Sequence, residues 1–241
     1  MPYDIIIGRD KEDKKLFCKQ GLIFIGKGYV QMGNYTSLSN RLWLDVIRSH
    51  VILVAGKRGS GKSYSLGVIA EEMAKLPGEV KENIAPLIFD TMGIFWTMKF
   101  KNDKDSELLD EWELKAENLP INLWIPFGYY KEFEKRKIPV DKKFALAVSE
   151  LEREDWLSIF KLEMTNPVSI LIQKVIAKLN KEKDYDLDDI LAEIEKDAAM
   201  ELPTKRAAQS LFEAAKTWQI FANKNESATK TEQLVEAGVT S

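Results

Sequence analysis

The sequence predicts an α/β fold, a parallel sheet core with a small N-terminal β subdomain and a helical insertion. Three observations predict it. Residues 49–55 (SHVILVA) form a continuous apolar run, which suits a strand buried on both faces of a parallel sheet. A glycine-rich turn follows it, and an amphipathic helical pattern follows the turn. A second apolar run, residues 85–90 (APLIFD), then repeats the buried-strand signal. The domains expected from this pattern are a β subdomain at 1–45 and a sheet core at 46–241. The helical region within that core covers about 129–225.

Each element has its own local reason. Residues 4–8 (DIIIG), 16–18, 21–26 (GLIFIG) and 28–32 are short β-rich runs separated by charges and glycines. They read as a small antiparallel unit. A helix is expected over 62–76, because Leu66, Ile69, Ala70 and Met73 recur at helical spacing and Pro77-Gly78 stop it. Residues 106–117 read as helical, and 119–128 (LPINLWIPFG) as a strand and turn. Asn166-Pro167 supplies a cap and a first-turn proline before the stripe Val168, Leu171, Ile172, Val175, Ile176 and Leu179. Leu187, Ile190, Leu191 and Ile194 repeat that pattern, and Pro203 opens a helix with Ala208, Leu211, Phe212, Ala215 and Trp218 on one side. The acidic residues between 150 and 201 read as solvated faces around these stripes. Residues 223–230 are polar and expected to be loose.

Composition narrows the function classes. The apolar fraction of 45% and charged fraction of 30% suit an ordinary globular protein. The single cysteine, Cys18, allows no intrachain disulfide, which fits a reducing, cytoplasmic compartment. The opening residues lack a signal-peptide pattern, and no apolar run approaches the roughly 20 residues of a membrane helix. The net charge of −3 argues against a surface that coats nucleic acid generally. Residues 1–100 carry 14 Lys and Arg against 10 Asp and Glu, whereas residues 101–241 carry 21 against 28. The half with the glycine-rich turn therefore has a modest basic bias, explained in part by phosphate binding and compatible with a DNA-facing surface.

The glycine-rich turn carries the chemistry. Gly56, Lys57, Arg58, Gly59, Ser60, Gly61, Lys62 and Ser63 follow the spacing G-x-x-x-x-G-K-S of a P-loop (Walker A). Glycines let several backbone N–H groups turn inward around a β-phosphate, and the helix beginning near Lys62 adds its positive end there. Lys62 is placed to neutralise β/γ-phosphate charge, and the Ser63 hydroxyl to coordinate Mg²⁺. Tyr64 completes the cofactor-binding stretch. A glycine turn that merely joins strand to helix leaves Lys62-Ser63 unexplained, so ATP with Mg²⁺ is the expected ligand.

Asp90 ends the second apolar run. It is a candidate for Mg²⁺ or its waters, the alternative being a polar residue where a turn begins. No Glu follows it, since Thr91, Met92, Gly93 and Ile94 come next. Phe95-Trp96 offer a base-stacking surface, although aromatics beside a buried strand are more often core. His50 is the only histidine, which excludes a His-based metal cluster or dyad. Arg58 is a candidate for phosphate or a neighbouring subunit, with an exposed loop arginine as the default.

Taken together, residues 26–35 (GKGYVQMGNY), 55–71 (AGKRGSGKSYSLGVIAE) and 89–99 (FDTMGIFWTMK) resemble the archaeal ATPases of the HerA/FtsK superfamily, the group carrying the domain called DUF87. Glu154-Asp155-Trp156 and Trp218-Gln219-Ile220-Phe221 fit the same group, so the resemblance covers most of the chain. It implies a RecA/FtsK-like P-loop NTPase core preceded by a small β-barrel. It also implies a hexameric, ATP-driven DNA translocase (helicase-like) acting on double-stranded DNA, often beside the NurA nuclease in DNA repair and end resection. Under it, Gly56 to Ser63 would be the nucleotide cradle, and Asp90 the aspartate of a D-P-x-G-E-Y-type motif. Ile94 stands where that motif has its Glu. The β unit is shorter than the family's barrel, and the Walker B carboxylates, sensor residue and arginine finger normally lie further along. Residues 236–241 (EAGVTS) read like the start of another core strand, so the chain is expected to be an N-terminal fragment that binds ATP and hydrolyses it poorly.

Two other function classes fit the same motif. A small-molecule kinase pairs a P-loop with an early aspartate, but needs an arginine-rich lid, and residues 101–165 offer only Arg136 and Arg153. A non-hydrolysing module would use ATP to order a protein interface on the helical region.

Overall fold

The computed structural model describes residues 3–32, 35–181, 184–224, 226–235 and 240. Chain contacts divide it into two compact units, residues 1–122 with 234–241 and residues 123–233. Gly33 and Asn34 of the resembling segment, and residues 236–239 and 241 of the expected terminal strand, lie outside the described residues. Thr240 is buried, bridges Ile121 in parallel and accepts a bond from the Asn122 N–H at 2.8 Å.

The first unit is built on a three-stranded sheet, β1 (Ile5–Ile7), β2 (Leu22–Met32) and β3 (Tyr35–Asp45), in the order β1-β3-β2. β2 and β3 form an antiparallel ribbon with register shifts at Phe24/Gly26 and Gly28/Tyr29, where glycines admit irregular pairing. The expectation of a wholly antiparallel unit is corrected: β1 runs parallel to β3. The β reading of residues 16–18 is corrected as well. A helix, α1 (Lys11–Phe17), occupies that stretch, capped by the Asp10 carboxylate, which accepts the Asp13 N–H at 2.8 Å. Glu12 and Asp13 in its first turn and Lys14 and Lys15 in its last complement the helix dipole.

α2 (Lys62–Ala74) and α3 (Gly78–Lys81) cover one face of the ribbon. Ile23 and Leu44 from the strands meet Leu76 and Val80, flanked by Ile69 and Met73. Each such aliphatic contributes about 1.5–3 kcal/mol on full burial, which seats α2, and with it the turn that precedes it. The predicted stop at Pro77-Gly78 is observed. The two apolar runs at 49–55 and 85–90 behave differently from expectation. Both are irregular, and Val51, Leu53 and Phe89 are 103%, 88% and 84% exposed. A parallel strand needs neighbours to satisfy its N–H and C=O groups, and among the described residues no strand pairs with either run. The parallel pairing of this α/β chain lies instead between β1 and β3 and between β4 and β5.

The second unit pairs β4 (Trp124–Pro126) in parallel with β5 (Lys142–Phe144). An isolated parallel bridge also joins Leu146 to Phe221. In the first unit α4 (Ser106–Glu111) takes up part of the helix read at 106–117, and in the second α5 (Tyr130–Lys135) follows β4 through a 3₁₀ turn. α6 (Arg153–Phe160), α7 (Pro167–Leu179), α8 (Leu187–Lys196) and α9 (Leu202–Lys216) enclose the larger core. Asn166 caps α7 as its sequence predicts, accepting the Val168 N–H at 2.9 Å, and Leu171, Ile172, Val175, Ile176 and Leu179 are all buried. Trp156 lies within 5.0–5.5 Å of the rings of Phe160, Phe212 and Phe221, and Trp218 packs beside Phe160 and Phe221. Two segments of the family resemblance thus meet in one aromatic cluster. Gln219, at φ 52°, approaches Gly128 so closely that a Cβ there would stand 2.2 Å from its own Cβ.

Candidate nucleotide site

The turn from Gly56 to Ser63 leads directly into α2, and its geometry follows from its glycines. Gly59 and Gly61 take φ of +81° and +86°, the left-handed region that side-chain-bearing residues avoid. The Ser60 N–H closes the turn on the Lys57 carbonyl at 3.2 Å. Gly61 is the N-cap of α2, no side chain caps it, and the first turn holds no acidic residue. The orphan N–H groups and positive dipole end of a 13-residue helix therefore face outward without a resident anion of the protein's own. Lys62 Nζ bonds the Lys57 carbonyl at 2.9 Å, which folds this cation back across the turn. Lys57, Arg58, Ser60, Ser63 and Tyr64 are exposed.

These features fit a polyphosphate. A left-handed glycine pair, an uncapped helix N-terminus and three cations, Lys57, Arg58 and Lys62, converge on one loop of eight residues. The Ser63 hydroxyl, one residue into the helix, is solvent-accessible and of the type that ligates Mg²⁺. Among the described residues no group of three or more His, Cys, Asp or Glu is placed to hold a metal by itself. A divalent ion here would depend on the nucleotide's own oxygens.

Asp90 has other partners. Its Oδ1 accepts the N–H groups of Met92 at 3.1 Å and Gly93 at 2.8 Å, and its Oδ2 those of Ile94 at 2.6 Å and Phe95 at 2.8 Å. The carboxylate thereby organises the turn into the 3₁₀ segment Phe95–Lys99. Phe95 reaches α2, where a Cβ on Gly67 would sit 3.8 Å from its ring. Trp96 donates from Nε1 to the Gly93 carbonyl at 3.1 Å and packs edge-on against Phe100. Both aromatics are half-buried in these contacts, in line with a packing role.

One group had no sequence signal. Arg9, at the end of β1, is buried against the equally buried Asp45, and also donates to the carbonyls of Cys18 at 2.9 Å and Gln20 at 2.7 Å. His50 Nε2 lies 3.1 Å from the other oxygen of Asp45. The histidine that begins the apolar run into the phosphate loop is thus tied to the β sheet. Arg9 and Asp45 are 36 residues apart, and no local pattern announces their pairing.

Among the described residues no helix is long and apolar enough to cross a membrane. No curated protein and no solved structure matches the chain. The family model of the central domain of the helicase HerA, DUF87, matches residues 28–239, a span that includes the phosphate loop, Asp90 and the aromatic cluster. The match covers well over half of the chain, and it carries with it the P-loop type of ATPase chemistry that the loop geometry fits. The chain belongs to the HerA central-domain family of HerA/FtsK-type ATPases.

Proposed function

We propose that this chain binds Mg²⁺·ATP at Gly56–Ser63 and forms the nucleotide-binding core of a ring ATPase that translocates or unwinds double-stranded DNA, in repair or end resection. The observation that carries the nucleotide half is the helix N-terminus of α2, left without a cap or an acid behind two left-handed glycines. Lys57, Gly59, Ser60, Gly61 and Lys62 would hold the phosphates, and Ser63 would hold the metal. A metal held there would neutralise phosphate charge. The Lys62 ammonium, held on the Lys57 carbonyl, needs only to exchange one acceptor for another to meet a phosphate oxygen. Gly61 keeps the N–H groups of the first helical turn pointed at the same place.

Double-stranded DNA, a hexameric ring and a NurA-type nuclease partner are supported by family membership alone. The four backbone bonds of Asp90 favour binding over hydrolysis in this arrangement, because its carboxylate is fully engaged and Ile94 cannot activate water. Calorimetric titration with ATP tests the reading. Lys62→Ala is expected to abolish measurable binding, and retained affinity would remove the main claim. Duplex DNA is expected to stimulate hydrolysis, whereas stimulation by a small hydroxyl-bearing metabolite would support a kinase.

A further inference from the structure

The second unit bears one surface whose charge opposes that of its surroundings. Residues 123–233 carry 18 Lys and Arg against 20 Asp and Glu, and outside residues 131–143 the balance is 12 against 17. Within them, residues 131–143 hold six cations, Lys131, Lys135, Arg136, Lys137, Lys142 and Lys143, against Glu132, Glu134 and Asp141. The fold brings the two ends of this stretch together. β5 lies beside β4 with Lys142 opposite Trp124 and Lys143 opposite Ile125, and α5 rises from the end of β4. All six cations are exposed.

Three of them stand over aromatic rings. Lys143 Nζ stands 3.5 Å from the Tyr130 ring centre, Lys142 Nζ 5.0 Å from that of Trp124, and the Arg136 guanidinium 5.8 Å from that of Phe133. Among the described residues Lys131, Lys135, Lys137 and Lys143 have no carboxylate partner, and Arg136 has Glu132 at 3.6 Å. The helical face of the same unit is the opposite case. There Lys174 pairs with Asp197, Lys178 with Glu193 and Lys216 with Asp188, each across two helices. A solvated face of that kind neutralises its lysines, whereas Lys131, Lys135, Lys137 and Lys143 keep their charges unneutralised.

A lysine stacked on a ring has already lost part of its rotamer freedom while keeping its N–H donors. Several such cations on one surface suit a polyanion, which gains entropy by releasing its condensed counterions. A protein partner fits less well, because the cores of protein interfaces are depleted in Lys. Residues 127–144 contain no Asn or Gln, the side chains that read adenine edges. We propose that the α5–β5 surface grips the phosphate backbone of double-stranded DNA without reading its sequence. The proposal rests on the DNA half of the proposed function and assigns residues to it.

Fluorescence anisotropy of a labelled 30-bp duplex, titrated with the full chain at several salt concentrations, tests it. Lys131→Gln, Lys135→Gln and Lys143→Gln combined are expected to weaken binding by about tenfold or more, and to flatten the slope of log K against log salt by about 2–3. The corresponding Lys→Arg triple keeps the charges and is expected to retain both values, which separates charge loss from misfolding. A control triple on α1, Lys11→Gln, Lys14→Gln and Lys15→Gln, is expected to leave the slope unchanged. An unchanged slope in the α5–β5 triple overturns the assignment, as does an equal loss in the α1 control. If the native chain binds ATP but no duplex at low salt, the DNA reading itself fails and takes this surface with it. Native binding with an unaffected α5–β5 variant leaves that reading standing and removes only the surface.

Discussion

Asp45 is buried at the end of β3 yet favours its charged form. Burial pushes its carboxyl upward, and hydrogen bonds from Arg9, His50 and the Ile47 N–H outweigh that push, so its pKa lies below the ordinary carboxylate value. A depressed pKa in the folded state means that the stabilisation is fully present above an unfolded value of about 3.9 and is lost as pH falls through the folded one. Asp45→Asn strands the buried Arg9 charge, and is expected to cost about 3–5 kcal/mol at pH 7. In urea titrations the gap between variant and native protein should narrow as pH falls below the unfolded value and on through the lower folded one. A gap independent of pH would refute the ionic account. Asp90 supports a second prediction. Its carboxylate satisfies four consecutive N–H groups, so Asp90→Ala is expected to cost about 1–2 kcal/mol, as loss of a helix cap does. Affinity for ATP measured with EDTA should be unchanged, because these bonds hold the turn and not the phosphates. A loss of affinity without metal would place Asp90 in direct contact with the nucleotide.

Elements were legible where their determinants are local. α7 could be read to the residue because Asn166, Pro167 and a 3.6-residue stripe all lie within one segment, and α8 and α9 announce their buried faces in the same way. The turn that opens α2 was legible for a related reason, since Gly56, Gly59, Gly61, Lys62 and Ser63 fall within eight residues. α1 carried a readable Asp10 cap, but the apolar Leu16-Phe17-Cys18 run at its end resembles a strand when taken alone. The features that escaped are those assembled from distant residues. Arg9 meets Asp45 across a parallel pairing that no hairpin spacing predicts. Trp156 meets Phe212 and Phe221 only after four helices have packed. The runs at 49–55 and 85–90 show the converse limit. Their hydrophobicity is a property of the sequence, but a ladder is a property of neighbours, and among the described residues none pair with them.

At the scale of the molecule, those uncovered runs bear on assembly. Val51, Ile52 and Leu53 in the first run, Phe89 in the second and Met92 just after it are all exposed. Fully burying side chains of this kind is worth roughly 1.5–3 kcal/mol each, so together they match the 5–15 kcal/mol that separates folded from unfolded proteins. Exposed apolar surface of that extent, where it is contiguous, marks an association site more often than a solvated face. The ring reading gives it a use, because the loop proposed to hold ATP lies between the two runs in the sequence and could couple their ordering to nucleotide binding. Any preference of ATP for an ordered form shifts the population by that difference in affinity, about 2.7 kcal/mol at a hundredfold excess over Kd. Light scattering is therefore expected to show a mass several times 27.6 kDa with Mg²⁺ and a non-hydrolysable ATP analogue, and a smaller one without them. Amide exchange at 51–55 and 85–90 should slow in step with the mass. A chain that stays at 27.6 kDa at every concentration tested, with fast exchange in both runs, would rule out nucleotide-driven assembly through this surface. Slow exchange without a change in mass would instead place the cover for these runs within the chain itself.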